Sequence, residues 1–145
     1  LILNEHYKEN SLENGSMPYG YCYGKKNVGP SSIEINAGNS DVIVLVKNES
    51  DRVIGHVYVQ ANRSYTLNMP NGVYRVNFYY GKGWNPRKKM KQVYCGNIVG
   101  GFIYYETLDK DPERVYLFNQ GISYTLRTQQ GGNFNTVPSS VGEAF

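Results

Sequence analysis

Two cysteines, Cys22 and Cys95, and two histidines, His6 and His56, are the side chains best suited to nucleophilic or metal chemistry. Nucleophilic catalysis needs a thiol or hydroxyl beside a general base. His6 stands in a polar opening stretch and His56 in the middle of an apolar alternation, so only the fold can bring His56 to a thiol. Neither cysteine belongs to a C-x-x-C pair, and two Cys with two His at scattered spacing do not make a structural zinc site. The thiols fit one Cys22–Cys95 disulfide in an oxidising compartment and equally two free, partly buried cysteines, because pairing depends on distances that chain order does not supply.

The carboxylates are no better organised. Glu34, Asp41, Glu49 and Asp51 fall at turns or strand ends, where hydrated charge is the ordinary state. Glu106, Asp109, Asp111 and Glu113 lie close enough to offer calcium its oxygen ligands, but without an EF-hand loop. Gly81-Lys82-Gly83 is an isolated G-x-G and lacks the Gly-Lys-Ser/Thr of a phosphate-binding loop. No metal, cofactor or catalytic set is therefore expected, and the chain is read as a non-enzyme. An enzyme or inhibitor site assembled from Cys95, His56 and loop acids is the alternative.

One stretch does combine binding chemistries. Residues 79–94 hold Trp84, Tyr79, Tyr80 and Tyr94, together with Lys82, Arg87, Lys88, Lys89 and Lys91. Indole and phenol rings stack on sugars or bases, and the cations steer anions. Read as a long loop between strands, this segment makes Trp84, Arg87, Lys88, Lys89 and Tyr80 the expected contact set for a protein or glycan. The competing reading has Trp84 plugging the end of the fold while the lysines stay hydrated. The net charge is +3, and without the five cations it becomes −2. So concentrated a positive charge makes a nucleic-acid partner unlikely, although weak binding to an anionic surface through residues 82–91 stays an alternative.

The elements that must position these residues are strands. The chain has 145 residues, enough for one domain with its own core. Tyr is over-represented at 14 copies, beside 16 Gly, and Tyr suits half-buried strands. Residues 42–46 form an unbroken apolar run, mostly β-branched, as in a central strand covered on both faces. Period-two alternation recurs at Ile33 and Ile35, across residues 53–59, at Tyr65, Leu67 and Met69, and at Tyr74, Val76, Phe78 and Tyr80. Tyr19, Tyr21 and Tyr23 also alternate and read as a short edge strand open to strand addition. Gly100-Gly101 reads as a bulge, residues 107–112 as an acidic turn, and residues 115–128 as a closing hairpin. Nowhere does a 3.6-residue period run far enough for a confident helix, which removes parallel α/β folds. No apolar run approaches the roughly 20 residues of a membrane-spanning helix.

The expected fold is thus all-β, an antiparallel β-sandwich of the prealbumin-like or Ig-like kind with about 8–9 short strands. Residues 1–16 are read as a linker or loosely held segment, 17–130 as the sandwich and 131–145 as a tail.

Residues 57–81, V-Y-V-Q-A-N-R-S-Y-T-L-N-M-P-N-G-V-Y-R-V-N-F-Y-Y-G, resemble the strand–turn–strand hallmark of prealbumin-like (carboxypeptidase-regulatory-like) modules. That resemblance implies a hairpin and no site. More widely, L-E-N-G-S-M-P-Y-G-Y-C-Y-G-K at residues 12–25, the P-N-G-V-Y turn, G-K-G-W-N-P, G-G-F and the E-A-F ending resemble an uncharacterised C-terminal β-sandwich domain family of gut Bacteroidetes. This implies a place at the C-terminal end of a larger protein, for which a secreted or cell-envelope setting is favoured over the cytoplasm. It transfers no catalytic residue, and the basic residues 87–91 depart most from the pattern.

Overall fold

The computed structural model describes residues 6–126 and 136–145. They build a β-sandwich. The smaller sheet has the order β4-β1-β8, with β1 Ser31–Asn36, β4 Ser64–Met69 and β8 Gly121–Thr125. The larger has the order β3-β2-β5-β6-β9, with β2 Asp41–Lys47, β3 Val53–Val59, β5 Gly72–Val93, β6 Gly96–Lys110 and β9 Val137–Pro138. The short β7, Val115–Leu117, pairs with the start of β5. Pairings are antiparallel except β1 with β8, which run parallel.

Alternation dictates the first core. Ile33 and Ile35 of β1, Leu67 and Met69 of β4, and Tyr74, Val76 and Phe78 of β5 enter the space between the sheets with Val42, Val44 and Val46 of β2. The other face of β2 is also buried. Ile43 and Leu45 join Tyr58, Tyr79, Trp84, Ile98, Phe102, Tyr19 and Phe145 in a second, aromatic core. Residues 42–46 are accordingly covered on both sides, which is why the run is apolar throughout. In β3 the register shifts between Val46 and Lys47, so Ile54 packs on the inter-sheet core and Val53 on the aromatic one.

Several local expectations are corrected. Residues 19–23 are not an edge strand but a helical turn, α1 Gly20–Tyr23, closed by Gly24 at φ +81°. A spacing of four brings Tyr19 and Tyr23 to one side, their ring centroids 6.2 Å apart. Burial of Tyr19 outweighs the strand propensity of its neighbours. The turn at Pro70-Asn71-Gly72 bends the chain as expected but closes no hairpin. It carries the chain from β4 in one sheet to β5 in the other, since Leu67 and Tyr74 must face the same core. Residues 115–125 form no hairpin either, because β7 joins β5 and β8 joins β1. The acidic turn begins later than expected, as β6 runs on to Lys110.

The largest change concerns residues 81–97. They are not a long loop: β5 and β6 form one extended hairpin whose register shifts absorb the irregular residues. One shift lies between Asn85 and Lys89, opposite Gly100, where the sequence suggested a bulge. Gly100 has φ +113°, and a Cβ there would lie 2.5 Å from the Trp84 ring.

The segment before α1 is pinned to β3. Gly15 N–H donates to Tyr58 O and Tyr58 N–H to Ser16 O, both at 2.7 Å, while Gln60 bonds both Leu12 and Asn14. At the other end, α2 Val141–Ala144 is capped by Ser140 and lays Ala144 and Phe145 into the aromatic core. Lys47 donates to Glu143 O, and Lys91 to Gly142 O and Phe145 O, at 2.7 Å each. The expected boundary at residue 130 falls outside the described residues.

Candidate functional site

The expected contact set does not converge. Trp84 is 3% exposed, edge-on to Tyr58 and Phe102, with centroids at 5.7 and 5.3 Å. It is a core residue, because the strand that replaces the loop turns it under the sheet. Lys88 donates to Phe102 O at 2.7 Å and to Glu106 Oε2 at 2.8 Å. Lys82 pairs with Glu9 at 3.6 Å, and Lys91 is held by the Gly142 and Phe145 carbonyls. Of the five cations only Arg87 and Lys89 stand exposed without a side-chain partner among the described residues. Tyr80 is half-buried and lies elsewhere, lining a groove.

The nucleophile reading loses its parts. Cys22 and Cys95 form a disulfide, with Cα atoms 5.7 Å apart, tying α1 to the turn between β5 and β6. His56 is 1% exposed, and its Nε2 accepts the Tyr19 N–H at 2.9 Å. Its Nδ1 has no hydrogen bond of normal geometry. Burial, helped by Lys25 and partly offset by the Met17 backbone, pulls its pKa down to about 4. The acidic quartet is dispersed: Glu106 accepts from Tyr79 and Lys88, and Asp111 from Tyr124. No group of three or more His, Cys, Asp or Glu is placed to hold a metal among the described residues.

What the fold does build is a groove of about 900 Å³ at the β2–β5–β6 end of the larger sheet. Such a volume lies within the ~300–1,000 Å³ typical of small-molecule sites. One wall is Lys8 to Ser11, fastened because Trp84 N–H donates to Asn10 O and Asn10 Nδ2 to Trp84 O. This wall passes directly over Gly83, where a Cβ would lie 3.0 Å from the Tyr7 carbonyl. The other side comes from β6: Tyr105, Thr107 and Asp109.

Tyr105 is set by a bulge. Tyr80 pairs with Thr107 and Lys82 with Tyr104, leaving Gly81 opposite both Tyr105 and Glu106. Gly81 cannot be larger, since a Cβ would meet that of Phe102 at 2.2 Å. The bulge sends Glu106 toward Tyr79, whose hydroxyl donates to it at 2.5 Å and accepts the Phe102 N–H at 2.8 Å. Tyr105 is left at φ +56° and 83% exposed. A bulky residue in the left-handed region costs on the order of 1–2 kcal/mol.

Across the groove Asp41 accepts from Tyr58 (2.5 Å), Ser11 (2.7 Å) and Ala61 N–H (2.8 Å). Asp109 is different. Burial raises its pKa, and the Thr136 hydroxyl opposes that shift. Tyr80 is raised too, first by burial and then by Asp109. Tyr105 and Thr107 were not singled out from the sequence as binding groups, and Asp109 was considered there only as a calcium ligand. Only Asp109 carried a signal, as an acid, because the bulge depends on a partner strand's register.

The chain shows no significant match to a protein-family model, to a curated protein or to a solved structure.

Proposed function

We propose that this chain is a non-catalytic binding module, part of a larger secreted or cell-envelope bacterial protein, and that it takes its ligand in the groove beside Tyr105 rather than at residues 87–89. One observation carries this reading. An exposed tyrosine is held in a left-handed conformation at the mouth of a preformed groove, where glycine would be cheaper. Backbone strain of that kind collects at functional positions. The engaged thiols and the buried His56 support a binding role over a catalytic one. The disulfide supports an oxidising compartment, where such bonds persist.

The test is backbone amide mapping of the labelled protein against oligosaccharide and peptide libraries. Shifts clustering at Tyr80, Tyr105 and Thr107 are expected. Shifts confined to Arg87 and Lys89 would assign binding to the cationic stretch instead.

A further inference from the structure

Resting on that groove reading, we infer that the ligand is an uncharged glycan, with a sugar ring stacked on Tyr105 and its hydroxyls bonded to Asp109 and Tyr80. The register sets the geometry. Tyr80 lies opposite Thr107 and Phe78 opposite Asp109, so Tyr80, Thr107 and Asp109 share one face of the sheet as close neighbours. Thr107 is exposed and the other two half-buried. The Tyr80 hydroxyl makes no hydrogen bond with a described residue, although its ring is packed against Phe78 with centroids 6.4 Å apart. The groove thus offers a carboxylate acceptor and two hydroxyls in a row, with an exposed aromatic plane beside them.

A pyranose matches that combination. Its ring hydrogens form an apolar face that packs on a phenol ring, and its neighbouring hydroxyls supply donors for a carboxylate. Charge separates this class from others. The charged groups on the lining are Lys8, Glu9, Asp41, Lys82 and Asp109. Lys82 is paired with Glu9, Asp41 keeps its negative charge while accepting from three neutral donors, and the carboxylate beside Tyr80 and Thr107 is that of Asp109. A uronic, sulfated or phosphorylated chain would bring its anion against that carboxylate. A cationic peptide would pair with Asp109 but leave Tyr105 and the Tyr80 and Thr107 hydroxyls without complementary groups.

The experiment uses neutral glucan, mannan and galactan oligosaccharides, a polygalacturonate oligomer, a chitosan oligomer and a lysine-rich peptide as probes. Calorimetry at low and high salt is paired with amide mapping. A neutral oligosaccharide should bind with an affinity nearly independent of salt and shift the Tyr105 and Thr107 amides. Tyr105→Ala should weaken it by about tenfold or more, Tyr105→Phe should keep it, and Asp109→Asn should weaken it by about tenfold, a loss typical of one removed stacking or charge-assisted contact. Circular dichroism and the amide spectrum establish that each variant is folded. Groove shifts produced by the peptide or a charged oligomer, and by no neutral one, would overturn the ligand class and leave the groove assignment standing. Neutral binding that Tyr105→Ala does not weaken, with shifts outside the groove, would overturn both.

Discussion

The Tyr19 backbone N–H donates to His56 Nε2 at 2.9 Å, and the two rings stack with centroids 5.5 Å apart. This contact joins α1 to β3 and requires a neutral imidazole, because a protonated Nε2 cannot accept. The folded pKa of about 4 lies below the ordinary 6.5, so the unfolded chain takes up a proton that the folded chain refuses. Stability is therefore full above pH 6.5 and falls as the pH drops toward 4, by on the order of 3 kcal/mol. Denaturant titrations of wild type and His56→Gln between pH 7 and pH 4.5 check this: the wild type should lose more.

Reduction of the disulfide should be costly. Cys22 and Cys95 are separated by 73 residues in sequence. Loop-closure entropy for that length corresponds to about 4 kcal/mol. The Cys22→Ser, Cys95→Ser double variant should show a clear drop in melting temperature, and reductant should change the wild type alone.

Core and surface members of the basic, aromatic stretch should behave oppositely. Trp84→Ala opens the aromatic core and should cost about 3–5 kcal/mol. Lys89→Ala should fall within about 0.5 kcal/mol of wild type. Chemical denaturation midpoints distinguish them, and similar losses for both would contradict the burial of Trp84.

Gly81→Ala should destabilise by at least about 3 kcal/mol, since the added methyl overlaps the Phe102 Cβ, which cannot move without its strand. Tyr105→Gly should do the reverse in the absence of ligand, gaining up to about 1 kcal/mol by relieving the left-handed backbone. The two substitutions flank one bulge, so their opposite signs in thermal melts would distinguish steric need from functional strain.

Most strands were readable because burying one face of a pleated ribbon forces period-two alternation. Ile33 with Ile35, Leu67 with Met69 and the all-apolar 42–46 run declare their environments directly. Residues 81–97 were not readable in this way. Their glycines, proline and lysines look like a loop, yet β6 supplies hydrogen-bonding partners, and register shifts accommodate the irregular positions.

Residue order alone thus determined an all-β chain, the location of its main bends and the doubly covered character of β2, since these depend on side-chain volume and backbone preference within a few residues. Tertiary structure decided the rest: that Trp84 is core, that Lys88 and Lys91 serve internal partners, that β4 and β5 part between sheets, and that Tyr105 faces a groove. Each of these depends on which distant strand lies alongside and in what register, an energy that no short window of sequence contains.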